Sequence, residues 1–259
     1  MGRDARPVNR EADRAASLLG LVSSRGGLAL DLGTRDGHIA KQMAPWFDRV
    51  VALDLTAPQV DAPGVMAVAA NGAALPFADG VFDTVLCAEV LEHVAPQETL
   101  RKLCREICRV AAREVIIGVP DRQDLRLGRT TCARCGHHNP PWGHVNAFDE
   151  PGLLALFEPL IPAAVVHVGQ SREVTNALSA ALLDYAGNPW GTYHQLESCI
   201  ACGLPVGSPR DRSLAQRVAA KIAHAANATQ QHFSRPNARW LHVRFLKEPP
   251  DAKGGAGHA

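Results

Sequence analysis

The chain has 259 residues, of which 46% are hydrophobic, and this is enough to bury the core of one large domain with an insertion, or of one domain with a small satellite. Its 27 basic and 26 acidic residues give a formal net charge of +1. No overall field therefore attracts nucleic acid or anionic lipid, although a local charged patch is compatible with these numbers.

The N-terminal segment, residues 1–27, is charged and lacks the apolar core of a signal peptide, and we expect it to be helical. No later segment has the roughly 18 apolar residues of a membrane span, so we expect a cytoplasmic protein without one. The seven cysteines are predicted to be thiols or metal ligands in a reducing compartment. The tail, residues 248–259, is predicted to be disordered.

Short apolar runs alternate with helical patterns in the first half of the chain. The predicted strands are residues 27–33, 49–55, 64–70, 82–89 and 114–120. Their continuous apolar character is typical of strands buried on both faces of a parallel sheet. The clearest helix is predicted over residues 96–112, where apolar residues recur with helical spacing. Further helices are predicted at 149–160, 175–187 and 211–226, and further strands at 163–169 and 238–246.

A glycine-containing turn follows the first predicted strand, which ends in Asp31. Gly33 and Gly37 would let the backbone approach a ligand where a side chain would collide. The dinucleotide fingerprint requires two further glycines, at positions that Arg35 and His38 occupy. A pyrophosphate cradle is therefore disfavoured.

The second strand ends in Asp54, whose carboxylate could accept hydrogen bonds from both ribose hydroxyls of an adenosine. This feature is shared by nicotinamide and S-adenosylmethionine sites and does not choose between them.

Residues 69–94 distinguish the two cofactors. They contain Asn71, Leu75-Pro76-Phe77, Gly80-Val81-Phe82-Asp83 and Glu89-Val90-Leu91-Glu92-His93. This stretch resembles the class I S-adenosylmethionine-dependent methyltransferases, in particular the group that includes the ubiquinone and menaquinone biosynthesis methyltransferases. The resemblance covers residues 28–120 and extends weakly to residues 142–159.

The resemblance implies an α/β fold, a Rossmann-like doubly wound sheet of seven mostly parallel strands with an antiparallel last strand. The resemblance also implies which residues contact the cofactor. Asp31 and Gly33 would line its methionine and ribose side, with Gly37 in the same turn, and Asp54 would bind the ribose. Asn71 and Gly72 would lie at the adenine edge, and the backbone up to Glu89 would lie along the methionine portion. One position departs from the usual Gly-x-Gly-x-Gly turn, because Arg35 replaces the central glycine. The turn must therefore tolerate a Cβ atom there.

Two Cys-x-x-Cys-Gly knuckles form a second pattern, and 63 residues lie between the last cysteine of the first and the first cysteine of the second. The four cysteines are Cys132, Cys135, Cys199 and Cys202. Such knuckles direct two thiolates each at one zinc ion, and four thiolates leave no open position, so the pattern predicts a structural zinc site. Free thiols, a disulfide, or replacement of one cysteine by His137 or His138 are the alternatives.

The predicted organisation is a cofactor-binding core over residues 28–120 with two insertions, residues 121–145 and 188–210, which zinc joins into a cap over the active site. Residues 146–187 and 211–247 would complete the sheet and its helices. Two histidines near the carboxyl ends of the strands, His93 and His144, are candidate general bases.

The predicted function is methyl transfer from S-adenosylmethionine to a small-molecule, glycan or lipid-intermediate acceptor. A zinc-containing RNA methyltransferase is the alternative, although the near-neutral charge makes nucleic acid an unlikely partner. An NAD(P)-dependent oxidoreductase would share Asp54 but not the Leu-Pro-Phe block, and a catalytically silent binding module is a third alternative.

Overall fold

The computed structural model describes residues 10–188, 191, 198–207 and 211–247. The chain forms two compact units: Met1–Asp121, Phe148–Gly169 and Ala238–Ala259 make up unit 1, and Arg122–Ala147 and Gln170–Asn237 make up unit 2. Residues 170–187 and 211–237, which we expected to help complete the sheet and its helices, are grouped with the cysteine loops in unit 2. The predicted disordered tail, 248–259, and part of the predicted insertion 188–210 lie outside the described residues.

Unit 1 contains a seven-stranded sheet. Its strands are β1 (Leu28–Leu32), β2 (Arg49–Asp54), β3 (Val65–Ala69), β4 (Phe82–Ala88), β5 (Ala111–Pro120), β8 (Ile161–Val168) and β9 (Trp240–Leu246). Their order across the sheet is β3-β2-β1-β4-β5-β9-β8, and β9 is antiparallel to both of its neighbours while the other pairs are parallel. The predicted fold class is confirmed, including the antiparallel last strand.

Helices cover both faces of this sheet, which explains the continuous apolar runs in the strands. The helices of unit 1 are α1 (Arg10–Leu21), α2 (His38–Met43), α3 (Gln97–Val110) and α4 (Glu150–Leu156). Leu30 and Leu32 of β1 belong to the core that α3 and α4 complete, whereas Ala29 belongs to the core on the other face with α1 and α2. Successive residues of one strand therefore feed two separate cores.

The end of α1 is attached to the sheet through Glu114, a buried carboxylate on β5. It accepts hydrogen bonds from the Ser23 hydroxyl (2.6 Å), the Ser24 N–H (2.9 Å) and the Thr84 hydroxyl on β4 (2.8 Å). Although burial opposes ionisation, these donors lower the pKa of Glu114. A charged carboxylate is thus compensated inside unit 1, and it attaches the chain that follows α1 to β4 and β5.

Unit 2 combines a small two-stranded sheet, β6 (Thr130–Thr131) with β7 (His138–Asn139), and two longer helices, α5 (Ala177–Tyr185) and α6 (Leu214–Phe233). Asn176 accepts the Ser179 N–H at the start of α5, and Ser213 with Gln216 forms a capping box at the start of α6. The two helices pack on each other. No helix in the described part of the chain is long and apolar enough to cross a membrane.

Candidate functional site

The turn after β1 depends on glycine at two positions. Gly33 and Gly37 have φ angles of 78° and 73°, in the left-handed region. A Cβ atom on Gly33 would lie 2.1 Å from Cγ2 of Val90, and one on Gly37 would lie 2.4 Å from Cγ2 of Val60. The contact with Val90 brings this turn against the chain that leaves β4. The predicted turn therefore exists, and its glycines are required by backbone conformation and by packing.

Asp31 stabilises this turn from inside. Its Oδ2 accepts hydrogen bonds from the Thr34 hydroxyl (2.6 Å) and from the Ala40 N–H (3.0 Å) at the start of α2. Its side chain is buried, and the loss of solvent raises the pKa of Asp31 to about 6 in spite of these donors. The partners that the structure gives Asp31 lie in the turn and at the start of α2.

Asp54 lies at the carboxyl end of β2 and holds the unusual residue of the turn. Arg35 has a φ angle of 54°, which is rare for a residue with a Cβ atom, and its N–H donates to Oδ2 of Asp54 at 2.9 Å. Oδ1 accepts the Leu55 N–H at 2.7 Å. Asp54 is half-buried, and each of its oxygens has a second lone pair, so it can still accept hydrogen bonds from a ligand.

Asn71 and Gly72 follow β3. Oδ1 of Asn71 accepts the Ala73 N–H at 2.9 Å, which shapes a tight turn and leaves the amide side chain at the surface. A Cβ atom on Gly72 would lie 2.7 Å from Cδ1 of Leu103 on α3. The glycine therefore allows this turn to pack closely on α3.

The Leu-Pro-Phe block is held by two charged residues of α3. The Leu75 N–H donates to Glu106 at 2.7 Å, and Arg109 donates to the carbonyl oxygens of Leu75 (3.1 Å) and Phe77 (2.7 Å). Arg109 also pairs with Glu106 at 2.7 Å. This part of the recognised motif is thus a braced loop between β3 and β4.

Glu89, immediately after β4, has a φ angle of 56° and forms an ion pair with Arg14 of α1, with 3.1 Å between Nη1 and Oε2. Burial raises the pKa of Glu89, and the Arg14 guanidinium opposes this shift. Oε1 of Glu89 and Nε of Arg14 are buried, and neither has a hydrogen-bond partner in the described part of the chain. Polar atoms of this kind are available to a ligand.

Glu92 is fully buried, and neither of its carboxyl oxygens has a partner among the described residues. Burial, followed by repulsion from Glu89, raises the pKa of Glu92 to about 8. His242 on β9 is also buried, with Nδ1 at 2.8 Å from the Ser17 hydroxyl, and burial lowers its pKa to about 4. Arg14, Glu92 and His242 were missed as candidate site residues, although Glu92 belongs to the quoted motif.

The two candidate bases lie in different units. His93 is exposed in the short helical turn Leu91–His93 of unit 1. His144 of unit 2 is buried, with Nδ1 at 2.5 Å from Oε1 of Gln123 and its ring 5.8 Å from that of Trp142. Each carries an imidazole that could accept a proton, and a general-base role stays a prediction for both.

The four cysteines of the two knuckles meet in unit 2. Their sulfur atoms all lie within 4.8 Å of one another, with 3.6 Å between Cys132 and Cys202 and 3.7 Å between Cys135 and Cys199. These distances exceed the roughly 2.05 Å of a disulfide bond, and the cysteines are free thiols. The knuckles thus bring together the four residues that the spacing selected.

Both knuckles have the same local geometry. The Gly136 N–H donates to the carbonyl oxygen of Cys132 at 3.0 Å, and the Gly203 N–H donates to that of Cys199 at 2.8 Å. Both glycines have positive φ angles, 73° and 70°. Although burial disfavours the thiolate, hydrogen bonds from the backbone that follows Cys199 lower its pKa to about 6. Backbone hydrogen bonds also lower the pKa of Cys132, so each knuckle favours the thiolate of its first cysteine.

Residues 30–117 match the methyltransferase domain family. The matched segment is about a third of the chain. It includes the turn after β1, Asp54, the braced loop and the residues that leave β4. The prediction of an S-adenosylmethionine-dependent methyltransferase is thereby confirmed at the level of the domain. No curated protein sequence matches the chain.

Solved structures share the fold at low sequence identity. The N-methyltransferase NodS from Bradyrhizobium japonicum WM9 is 17% identical over 95% of this chain and 99% of its own, with a TM-score of 0.50. The YcgJ protein from a Bacillus species is 13% identical over 92% of this chain and 99% of its own, with a TM-score of 0.54. The [4+2]-cyclase SpnF is 14% identical over 96% of this chain and 85% of its own, with a TM-score of 0.55. One fold thus serves more than one reaction.

Proposed function

We propose that this enzyme transfers the methyl group of S-adenosylmethionine to a small-molecule, glycan or lipid-intermediate acceptor. The observation that carries the proposal is the methyltransferase domain match over residues 30–117, which contains both the glycine turn and Asp54. NodS, which shares the fold, has been crystallised with S-adenosylhomocysteine. The acceptor class rests on the near-neutral charge of the chain, which does not favour a polyanion.

The residues of unit 1 fit this cofactor. Asp54 would accept the ribose hydroxyls with the lone pairs that its two backbone donors leave free. The backbone at Gly33 would lie along the methionine and ribose side, Asn71 with Gly72 at the adenine edge, and Glu89 near the methionine portion. Asp31 contributes by holding the turn in shape. S-adenosylmethionine supplies an activated methyl group and its own leaving group.

The protein has two tasks in such a displacement: it aligns the acceptor with the methyl carbon, and for an acidic acceptor it removes a proton. We propose His93 and His144 as candidates for the second task. Replacing the base with Ala should slow turnover by roughly 10²-fold and leave cofactor affinity intact. Full activity of both variants on the true acceptor would assign catalysis to alignment alone.

Calorimetric titration with S-adenosylmethionine and with NADH tests the cofactor. Binding of the first and no binding of the second is the expected result. Tight NADH binding without an S-adenosylmethionine signal would replace this function with the oxidoreductase alternative.

The RNA methyltransferase alternative would need a basic surface near the cysteines. Four arginines are close in sequence to the first knuckle, but Arg126 pairs with Asp124 at 2.7 Å and Arg129 pairs with Asp184. Two of the four charges are thus neutralised within unit 2. Salt-dependent retention of RNA by the protein would favour this alternative.

We further propose that the four cysteines hold one structural zinc ion. Four sulfurs around a tetrahedral zinc at about 2.3 Å lie about 3.8 Å apart, which agrees with the 3.6 and 3.7 Å separations of the two cross-knuckle pairs. All four ligands are thiolates, so no position is left for a substrate or water. The zinc would join the loop of residues 132–135 to the loop of residues 199–202, and folding of unit 2 would depend on it.

Elemental analysis of the reduced protein tests this site. One zinc ion per chain is expected in the wild type and none in a Cys135→Ser, Cys202→Ser variant. Cys108→Ser, which changes a half-buried thiol of α3 in unit 1, is the matched control and should keep the metal. Because the sheet has its own apolar core, cofactor affinity should change by no more than a few-fold in the double variant. Metal-free wild-type protein would exclude the proposal.

A further inference from the structure

Helix α6 of unit 2 has one face that is buried and one that is not. Its buried residues Ala219, Ala220, Ala223 and Asn227 recur with helical spacing. Asn227 accepts the buried Thr175 hydroxyl at 3.2 Å, and Gln230 accepts the Asn176 side-chain N–H at 3.1 Å, so this face is fixed to the start of α5. This face supplies the tertiary contacts of the helix.

The opposite face is also apolar. Leu214, Val218 and Ile222 are spaced by four residues, which places them on one side of the helix, and they are 76%, 47% and 55% exposed. Phe233, at the end of the helix, is 86% exposed. We call these four residues the outer stripe. Single exposed apolar residues are common, but a row of four on one helix side indicates a surface that contacts something else.

The charged residues of α6 itself are all basic. Arg217 and Lys221 are exposed on α6, and Arg235 is exposed just after it. No acidic residue occurs between Asp211 and Glu248. None of the three cations forms an ion pair within the described residues. This stretch is therefore a local basic region in a chain whose net charge is only +1.

We propose that α6 docks on an anionic lipid surface, with the outer stripe inserted among the acyl chains and Arg217 and Lys221 against the headgroups. An exposed apolar row flanked by basic residues is the pattern of helices that lie in a membrane interface. A second copy of this chain fits less well, because a symmetric contact through the outer stripe would bring like charges together. A phosphate backbone would match the charges but not the apolar row. The inference does not depend on the proposed methyl transfer.

Cosedimentation of the full chain with lipid vesicles tests the docking surface. The protein is expected to bind vesicles in which a third of the phosphatidylcholine is replaced by phosphatidylglycerol, more weakly at high salt, and not to bind pure phosphatidylcholine. Arg217→Gln, Lys221→Gln should weaken binding by about 30-fold, since each basic residue near such a surface is worth about 1 kcal/mol. Val218→Glu, Ile222→Glu should weaken it at least as much.

The matched control removes two exposed arginines with the same spacing from α3 of unit 1, as Arg101→Gln, Arg105→Gln. It should leave vesicle binding unchanged, and the helical content of every variant is checked by circular dichroism. Failure of the wild type to bind anionic vesicles, or binding that the α6 variants and the control affect equally, would overturn the proposal. A dimer that Val218→Glu, Ile222→Glu dissociates, without vesicle binding, would assign the outer stripe to self-association instead.

Discussion

Glu92→Gln gives a quantitative test of the buried carboxyl group after β4. Glu92 has no solvent exposure, and burial together with Glu89 raises its pKa from 4.5 to about 8. The folded chain therefore retains a proton on Glu92 that the unfolded chain releases above pH 4.5. Since the unfolded state binds fewer protons in this range, Glu92 lowers the stability of the wild type progressively from pH 4.5 to about 8.

The size of the effect follows from the width of that window. One pKa unit corresponds to about 1.36 kcal/mol, so raising the pH from 6 to 8 should remove about 2 kcal/mol of folding free energy through Glu92 alone. Glutamine has nearly the same shape and does not titrate. The free energy of unfolding of Glu92→Gln should therefore fall by about 2 kcal/mol less than that of the wild type over the same interval.

Urea unfolding at several pH values, followed by tryptophan fluorescence, measures the difference. Glu158→Gln, at an exposed position of unit 1, is the control for the loss of one carboxylate. The pH dependence should be the same for this control and for the wild type. A constant offset between Glu92→Gln and the wild type from pH 6 to pH 8 would show that Glu92 is not held protonated.

Three further predictions concern unit 1. Asp54→Ala should weaken S-adenosylmethionine binding by about 2 to 4 kcal/mol in calorimetry. Asp36→Ala, at a nearby exposed position, is the control and should have little effect. Equal affinities for Asp54→Ala and the wild type would show that Asp54 does not bind the ribose. Arg35→Gly should stabilise the fold by up to about 1 kcal/mol in urea unfolding, because glycine adopts the φ angle of 54° without strain. A lower stability of Arg35→Gly would contradict this reasoning. Gly72→Ala should destabilise it by about 1 to 3 kcal/mol, since the new Cβ would lie 2.7 Å from Leu103, and an unchanged unfolding midpoint would show that Leu103 moves aside.

The strands and the order of the elements could be predicted because each carries its signal locally. β1 and β4 are short apolar runs that end at turn residues, and α3 repeats apolar residues with helical spacing, so neither needs distant information. The limits were less exact: β5 begins at Ala111, three residues before the predicted strand, and α6 continues to Phe233. In both elements the additional residues have only a weak strand or helix pattern in the sequence. Pairing or packing with neighbouring elements extends the strand and the helix through them.

The cysteine cluster could also be predicted, since a Cys-x-x-Cys-Gly knuckle specifies its own turn. Gly136 and Gly203 adopt the positive φ angles that the knuckle needs, and the meeting of the two loops required only that both serve one site. The partners of Glu89 could not be predicted in the same way. Arg14 is 75 positions earlier in the chain and lies in a segment whose sequence is charged throughout, so nothing local distinguishes it.

The residues that identify the cofactor class are largely those that shape the backbone. Gly33 accommodates Val90, Gly72 accommodates Leu103, and the Leu-Pro-Phe loop is held by Glu106 and Arg109. Such constraints apply to the whole fold class, whatever the acceptor, so a resemblance built on them reports the cofactor fold. Among the described residues, buried polar atoms without partners occur on Arg14, Glu89, Glu92 and His242, which α1, the end of β4 and β9 contribute. Glu89 and Glu92 belong to the recognised motif, whereas Arg14 and His242 lie far from it in the chain, so a motif read along one segment cannot register the group as a whole.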